Sequence, residues 1–233
     1  MKDEVEVKLM AITKNAEKLI ERAGRTCYDS IHLPPSEKNK LTADQLILFK
    51  TKDTPSFIQM LIKNGHLSVL EHAQATFKIR NVSRALTHQL VRHRVASYSQ
   101  RSQRYVSEKS FPYVTPPAIS KNEEALKVFE KAIRNTKTAY QELISLGIKR
   151  EDARFVLPNA TVTEIVMTAN FREWRHVVEL RGHRSAQWEI RRLAVAVLKI
   201  LKEKAPATFG DFEIDENDFV ITRSDSAGGS ERG

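Results

Sequence analysis

The sequence predicts an α+β fold in a single domain, in which helices flank an antiparallel or mixed sheet. Apolar and polar residues alternate over 5–11 and 72–80, which is the pattern of strands with one buried face. Residues 160–170 are rich in Thr, Val and Ile, as strands commonly are. Apolar residues at helical spacing predict a long amphipathic helix that ends near Gly147.

Local signals place the elements of the N-terminal half. The pattern predicts a helix over 14–27, and Thr54 as the N-cap of a second helix with Pro55 in its first turn. Gly65 is well placed to end that second helix. Ser83 can cap a third helix that runs to about residue 92.

Two capping boxes and three further helices follow from the same kind of signal. The boxes are Thr42-x-x-Gln45, after a loop at 33–35, and Ser120-x-x-Glu123, which is expected to open the long helix. A short helix is expected before Pro158, and two longer helices over 172–181 and 187–204.

The domain is expected to span residues 1–220, because no internal repeat or linker interrupts the pattern. A polar, Gly- and Ser-rich tail at 221–233 is expected to be disordered. A single cysteine, Cys27, excludes an internal disulfide and a cysteine-rich metal site; it is expected to be a small, partly buried residue. No signal peptide and no apolar run of about 18 residues occurs, so the protein is expected to be cytoplasmic, without a membrane partner.

Positive charge is concentrated in one part of the chain. The formal net charge of +9 favours anionic partners: nucleic acid, a membrane surface or a phosphorylated small molecule. No Asp or Glu lies between Glu71 and Glu108, and we call this segment the acid-free window. Because a solvated surface normally mixes both signs of charge, seven uncompensated cations suggest an external anion. They are Lys78, Arg80, Arg84, Arg92, Arg94, Arg101 and Arg104.

Arginine predominates among these cations, and its planar guanidinium matches phosphate oxygens. Ser and Gln side chains are interleaved with the arginines over 92–105, and Gln offers the paired donor and acceptor that a uracil-like edge needs. This composition suggests a nucleotide site. A solvated surface or a nonspecific RNA-binding patch would account for the same composition.

Four ordered motifs distinguish these interpretations. The motifs are Gly65-His66-Leu67-Ser68-Val69-Leu70-Glu71-His72; Arg92-His93-Arg94 followed after seven residues by Ser102; Arg154-Phe155-Val156-Leu157-Pro158; and a C-terminal block with Asn170, Arg172, His176, Arg181 and Arg191. In the order and rough spacing of these motifs the chain resembles the flavin-dependent thymidylate synthases from Val5 to about Phe212, nearly its whole length.

The resemblance implies reductive methylation of dUMP to dTMP by an α+β homotetramer whose active sites are built from several subunits. It implies FAD as the cofactor, 5,10-methylenetetrahydrofolate as the carbon donor and NADPH as the usual reductant. Neither nucleic acid nor a membrane is an expected partner. No glycine-rich dinucleotide fingerprint or P-loop occurs, so the flavin site must rely on arginine and side-chain amides.

The resemblance also implies residue roles. Expected cofactor contacts are His66, Ser68, Arg92, His93, Arg94, Gln100, Asn170, Arg172 and His176. Expected substrate contacts are Gln89, Arg92, Gln100, Arg101, Ser102, Gln103, Arg104, Arg154 and Arg181. Arg181 is the expected catalytic residue, because its counterpart in the family activates dUMP. A guanidinium beside the pyrimidine stabilises negative charge at N3 and O2.

Several alternatives stay open at this stage. Ser102 can bind phosphate or act as a nucleophile, and the second role needs a base within hydrogen-bond reach. The histidines at 66, 72, 88 and 93 have no zinc-site spacing, so no metal site is expected. The whole chain could also be a basic RNA-binding protein or an inactive nucleotide-binding relative.

Overall fold

The computed structural model describes residues 5–27, 53–108 and 110–224. Its main sheet has the strand order β1-β2-β4-β3, and a separate hairpin pairs β5 with β6. The strands are β1 (Glu6–Ile12), β2 (Gln74–Ser83), β3 (Ala96–Gln100), β4 (Val162–Asn170), β5 (Phe212–Asp215) and β6 (Val220–Arg223). The loop at 33–35, the capping box at Thr42, the Cys27 side chain and residues 225–233 lie outside the described residues.

Helices account for most of the remaining described residues. They are α1 (Ala16–Cys27), α2 (Thr54–Lys63), α3 (Arg84–Leu90), α4 (Pro117–Ser120), α5 (Glu123–Ser145), α6 (Arg150–Ala153), α7 (Phe171–Gly182), α8 (Trp188–Lys204) and α9 (Pro206–Phe209). Short 3₁₀ helices cover Leu67–His72 and Arg154–Val156. Within the described ranges, no helix has both the length and the apolar character needed to cross a bilayer.

Cross-strand contacts give the direction of the central strands. The Thr76 and Thr168 hydroxyl oxygens lie 2.9 Å apart, and Arg80 Nε lies 3.2 Å from Glu164 Oε2. As the residue number rises along β2 it falls along β4, so the two strands are antiparallel. The α+β class with an antiparallel sheet is therefore confirmed.

The strand periodicity explains which residues form the core of the sheet. Ala73, Ala75, Phe77 and Ile79 are all buried, as their alternation with polar residues predicts. In β4 the same period buries Thr163, Ile165, Met167 and Ala169. The predicted strand and helix positions at 5–11, 14–27, 172–181 and 187–204 are confirmed to within a few residues.

The chain divides into two compact units. The first unit comprises Met1–Glu6, Lys78–Arg92 and Tyr98–Val166. Its core includes Tyr140 of helix α5, which is fully buried and whose hydroxyl accepts a hydrogen bond from the Glu108 backbone N–H at 3.4 Å.

The second unit comprises Val7–Phe77, His93–Ser97 and Met167–Gly233. Trp174 of helix α7 packs edge-on against Phe77 with the ring centroids 5.0 Å apart, and its indole N–H donates to the Ala75 carbonyl at 3.0 Å. This contact joins helix α7 to strand β2 through both apolar burial and a satisfied polar group.

The predicted N-cap of helix α2 is wrong by one residue. Asp53, rather than Thr54, caps helix α2, since its carboxylate accepts from Ser56 N at 2.9 Å. The Thr54 hydroxyl instead donates to Glu21 Oε2 at 2.5 Å. Pro55 does lie in the first turn, and Gly65 adopts a positive φ of 74° just after the helix ends.

The long helix α5 begins differently from its prediction. Asn122, rather than Ser120, is the N-cap, and its side-chain oxygen accepts from Glu124 N and Ala125 N at 3.1 and 3.0 Å. Ser120 cannot take this role because it ends helix α4, where its hydroxyl donates to the Pro117 carbonyl. The prediction that Ser83 caps helix α3 is confirmed.

The C-terminal hairpin was not predicted. Strand β6 extends to Arg223, and Val220 and Ile221 are buried. Gly182 allows this packing, because a Cβ added there would lie 2.4 Å from the Ile221 side chain. The assignment of residues 1–220 to a single domain stays a prediction.

Candidate functional site

Helix α7 and its N-cap carry four of the predicted site residues, which are Asn170, Arg172, His176 and Arg181. Asn170, the last residue of strand β4, caps the helix by accepting from Glu173 N at 2.8 Å. Trp174 and Val178 face the core of the second unit, whereas Arg172 and His176 are exposed. Because residues four apart share a helical face, Arg172 and His176 are presented together.

His93 is buried beside this helix, with a fractional exposure of 4%. Its Nδ1 lies 3.1 Å from Glu173 Oε1, and its Nε2 lies 3.0 Å from Arg181 Nε. The His176 ring meets the His93 ring edge-on, with centroids 5.4 Å apart. The structure therefore brings His93, His176 and Arg181 into one cluster, and adds Glu173, which the sequence analysis did not select.

The protonation state of His93 follows from these contacts. An arginine Nε–H can only donate, so His93 Nε2 must offer a lone pair. The ring proton then lies on Nδ1 and is donated to Glu173. Burial, the Arg181 charge and His176 lower the His93 pKa to about 4. The Glu173 contact is therefore a hydrogen bond from a neutral imidazole rather than an ion pair.

Two cavities of the second unit adjoin at Arg172. One, of about 450 Å³, is lined by residues that include Glu71, Val95, Asn170 and His176. The other, of about 370 Å³, is lined by Gly65, His66, Ser68 and Arg172 among others. Arg172 Nη1 donates to Glu71 Oε1 at 2.6 Å. Ligand-sized clefts with a few convergent polar groups are the usual form of small-molecule sites.

The first unit contains a second concentration of positive charge. Arg84 is half-buried, and burial and the nearby Arg154 charge lower its pKa, whereas Glu108 acts to raise it. Arg101 Nη2 lies 3.6 Å from Glu108 Oε1. Burial raises the pKa of Glu108 above its usual value, although Arg101 and Arg84 oppose this. Half-buried like charges are stabilised by an anion, so Arg84 joins the candidate site.

The premise that all seven cations of the acid-free window are uncompensated is wrong. Lys78 and Arg80 both lie within 3.3 Å of Glu164, because β2 and β4 are adjacent strands. Arg101 pairs with Glu108, and Arg104 Nε lies 2.6 Å from Glu151 Oε2. Among described residues, no carboxylate lies within 4.0 Å of the three remaining cations. These are Arg84, Arg92 and Arg94.

The polar residues that follow β3 are ordered by local contacts. The Gln100 amide donates to Thr87 Oγ1 at 3.0 Å and to Thr163 Oγ1 at 3.4 Å, both within the first unit. Ser102 Oγ accepts from Arg104 N at 3.2 Å. This bond stabilises the turn. Its donor is a backbone N–H, which cannot act as a general base for the Ser102 hydroxyl.

Comparison with known proteins identifies the family. The sequence profile of a family described as "Thymidylate synthase complementing protein" matches residues 8–207. A flavin-dependent thymidylate synthase of Geobacter sulfurreducens is 44% identical over 209 residues, which cover 89% of this chain and 86% of the relative. Relatives with the same name from Mycobacteroides abscessus and Clostridium tetani are 43% and 40% identical, over 84% and 88% of this chain and 79% and 85% of theirs.

The chain belongs to the flavin-dependent thymidylate synthase family. The resemblance seen in the four sequence motifs is thereby confirmed.

In this member of the family, the predicted site residues fall into two groups. The second unit holds His66, Ser68, His93, Arg94, Asn170, Arg172, His176 and Arg181. The first unit holds Gln89, Arg92, Gln100, Arg101, Ser102, Gln103, Arg104 and Arg154. In the parts of the chain that the structure describes, no group of three or more His, Cys, Asp or Glu side chains is arranged to hold a metal ion.

Sequence reasoning missed Glu71, Arg84 and Glu173. Each carried a usable signal. Glu71 lies within a family motif, Arg84 lies in the acid-free window, and Glu173 follows Asn170 at the spacing of a capping pair. These signals do not predict which side chain each residue contacts.

Proposed function

We propose that this protein is a flavin-dependent thymidylate synthase that converts dUMP to dTMP with FAD, and that Arg181 activates the uracil ring. The observation that carries the assignment of Arg181 is its position in the buried cluster. His93 is neutral and accepts the Arg181 Nε–H bond, so Arg181 is the cation of this cluster and keeps its full charge in that bond. Such a fixed donor stabilises an anion that develops beside it.

The residues of the second unit fit FAD by their donor chemistry. FAD carries a pyrophosphate and a ring system edged by oxygen and nitrogen atoms, and both need hydrogen-bond donors. Arg94, Arg172 and His66 are exposed, and Arg172 lines both cavities. The proposed FAD contacts of this unit are His66, Ser68, Arg94, Asn170, Arg172 and His176, and those of the first unit are Arg92 and Gln100. His93 is left out of the set, because both of its ring nitrogens face protein side chains. When bound, the flavin supplies the reducing equivalents of the reaction.

For dUMP, the proposed contacts divide between the phosphate and the base. Phosphate recognition by guanidinium and hydroxyl groups assigns Arg92, Ser102 and Arg104 to the phosphate. Arg104 is exposed and Glu151 partly so, and an ion pair at the surface is weak enough for a phosphate to displace. Gln89, Gln100, Arg101, Gln103 and Arg154 complete the proposed set, and the structure adds Arg84 as a further candidate.

The protein's part in the chemistry is electrostatic. Uracil C5 must become electron-rich before it attacks a one-carbon unit, and Arg181 favours this by stabilising charge at N3 and O2. We propose 5,10-methylenetetrahydrofolate as the carbon donor and NADPH as the reductant, as in the family. Ser102 binds substrate in this scheme, since no base contacts its hydroxyl among the hydrogen bonds of the described residues.

A homotetramer is part of the proposal. Several large apolar side chains are exposed in the first unit, including Tyr105 at 70% and Phe155 at 83%. Exposed apolar surface of this kind favours burial against another protein surface. Light scattering on the purified protein should give a mass of four chains, and a monomer would contradict the proposal. A cytoplasmic location stays a prediction.

One preparation tests the function. The purified protein should be yellow, should release FAD on denaturation, and should release tritium from dUMP labelled at C5 when methylenetetrahydrofolate and NADPH are present. Leaving out the folate is the control. A colourless protein whose affinity for RNA falls steeply with salt would instead be the basic RNA-binding protein. Bound FAD without tritium release would indicate the inactive relative.

A further inference from the structure

The hydrogen bond between Arg181 and His93 can hold the Arg181 guanidinium in one orientation. Arg181 follows one helical turn after Val177, close to the end of helix α7, where a long side chain has many rotamers. Its bond to His93 uses Nε–H, the donor nearest the aliphatic stem. A bond at Nε constrains the plane of the whole guanidinium group.

His93 is itself held from both sides. Its Nδ1–H faces Glu173 at 3.1 Å, and the His176 ring lies against it edge-on. Glu173 is in turn anchored, since its backbone N–H donates to the Asn170 side chain. The carboxylate selects the tautomer with the proton on Nδ1, and only that neutral tautomer offers Nε2 as an acceptor to Arg181.

We propose that His93 is a positioning residue, held in one tautomer by Glu173, which aims the Arg181 guanidinium at the substrate uracil. This inference rests on the proposed function, in which Arg181 activates dUMP. It differs from the role that the resemblance implies, a direct flavin contact, because both ring nitrogens of His93 face protein side chains. Pre-ordering a charged donor in this way lowers the reorganisation needed as negative charge develops.

Two amide variants test separately the hydrogen bonds that His93 makes to Arg181 and to Glu173. In His93→Gln the side-chain oxygen can replace Nε2 as the acceptor for Arg181. In His93→Asn the shorter amide can replace only the Nδ1 donor to Glu173. With holoenzyme, we expect kcat for tritium release to stay within roughly threefold of the unaltered protein in His93→Gln. We expect it to fall by roughly tenfold or more in His93→Asn, since one hydrogen bond to a charged group is lost. FAD content should be unchanged in both.

A double-mutant cycle with Arg181→Ala checks that His93 acts through Arg181. Alanine has no donor for His93 Nε2, so His93→Asn should cost no further turnover in the residual activity of the Arg181→Ala background. Thermal melting of each holoenzyme shows whether it is folded.

The outcomes are distinct. Equal kcat in the Asn and Gln variants, losses that multiply in the cycle, or loss of FAD in both variants would each overturn the positioning role. Absence of tritium release from the unaltered protein would overturn the proposed function itself, and this inference with it.

Discussion

Arg175 and Asp211 form a two-pronged pair in which both terminal guanidinium nitrogens lie 2.6 Å from the two carboxylate oxygens. Arg175 is buried and also donates to the Thr208 carbonyl, and its guanidinium lies over the Phe212 ring. Although burial acts to raise the pKa of Asp211, Arg175 and Arg223 hold it below its usual value. This pair anchors helix α7, which carries Arg172, His176 and Arg181.

Replacing Arg175 should therefore destabilise the second unit. We expect Arg175→Met to lower the free energy of unfolding by about 3 kcal/mol, because Asp211 loses its main partner in a largely buried site. Urea unfolding measures the change. The matched control is Arg134→Met, which removes an exposed pair with Glu130 and should cost at most about 0.5 kcal/mol. Equal losses in the two variants would contradict this assessment.

Arg181→Ala should abolish most turnover while the protein keeps its flavin. Removing a preorganised donor at a developing anion typically costs roughly a hundredfold or more in kcat. Tritium release and the flavin absorbance of the same sample measure the two properties. Arg184→Ala is the control, since Arg184 is exposed and pairs with Asp218. Full activity of Arg181→Ala would remove Arg181 from the mechanism.

Ser102→Ala distinguishes substrate binding from nucleophilic catalysis. If Ser102 binds phosphate, the variant should raise KM for dUMP several-fold and leave kcat within roughly threefold. Loss of a nucleophile would instead lower kcat by several orders of magnitude. Ser99→Ala, on an exposed position of strand β3, controls for removal of a hydroxyl nearby. Steady-state kinetics with dUMP as the varied substrate decide between the two roles.

The protonation of His93 predicts a specific dependence of stability on pH. In the unfolded chain this histidine takes up a proton near pH 6.5, whereas in the folded protein it stays neutral down to a pKa of about 4. Acid therefore favours the unfolded state, and the stability that the neutral ring contributes is lost as the pH falls from about 6.5 to about 4. Glu173, His176 and Arg181 contact the ring.

Urea unfolding at a pH of about 7.5 and of about 5 measures this effect. Between these values the unaltered protein should lose about 2 kcal/mol more stability than His93→Gln, which has no titrating ring. The comparison between the two proteins cancels the contributions of the other ionisable groups. The same pH dependence in both would show that His93 titrates normally in the folded protein.

The sequence predicts an element well where the deciding pattern lies within the element itself. The alternation over 72–80 predicted the buried face of β2 correctly, because the strand period of two does not depend on distant contacts. The N-cap of helix α2 was misplaced because Asp53 and Thr54 can both cap a helix. The choice between them depended on Glu21, which engages the Thr54 hydroxyl from 33 residues away.

The short hairpin of β5 and β6 had too weak a pattern to predict. Each strand has only four residues, and charged positions interrupt the apolar ones. Its position is set by close packing, above all that of Ile221 on Gly182. The uncompensated charge of the acid-free window failed as a premise for a related reason, since the carboxylates that pair with Lys78, Arg80 and Arg104 come from distant segments.

The sequence by itself determined the fold class, most of the elements and the family, because periodicity and ordered motifs are properties of the chain alone. Only the tertiary structure decided which side chains meet. His93 reaches Glu173 and Arg181 across 80 and 88 residues of sequence, and packing sets its tautomer and its lowered pKa. Spacing along a chain holds no information about such distant contacts, which depend on how helix α7 packs within its unit.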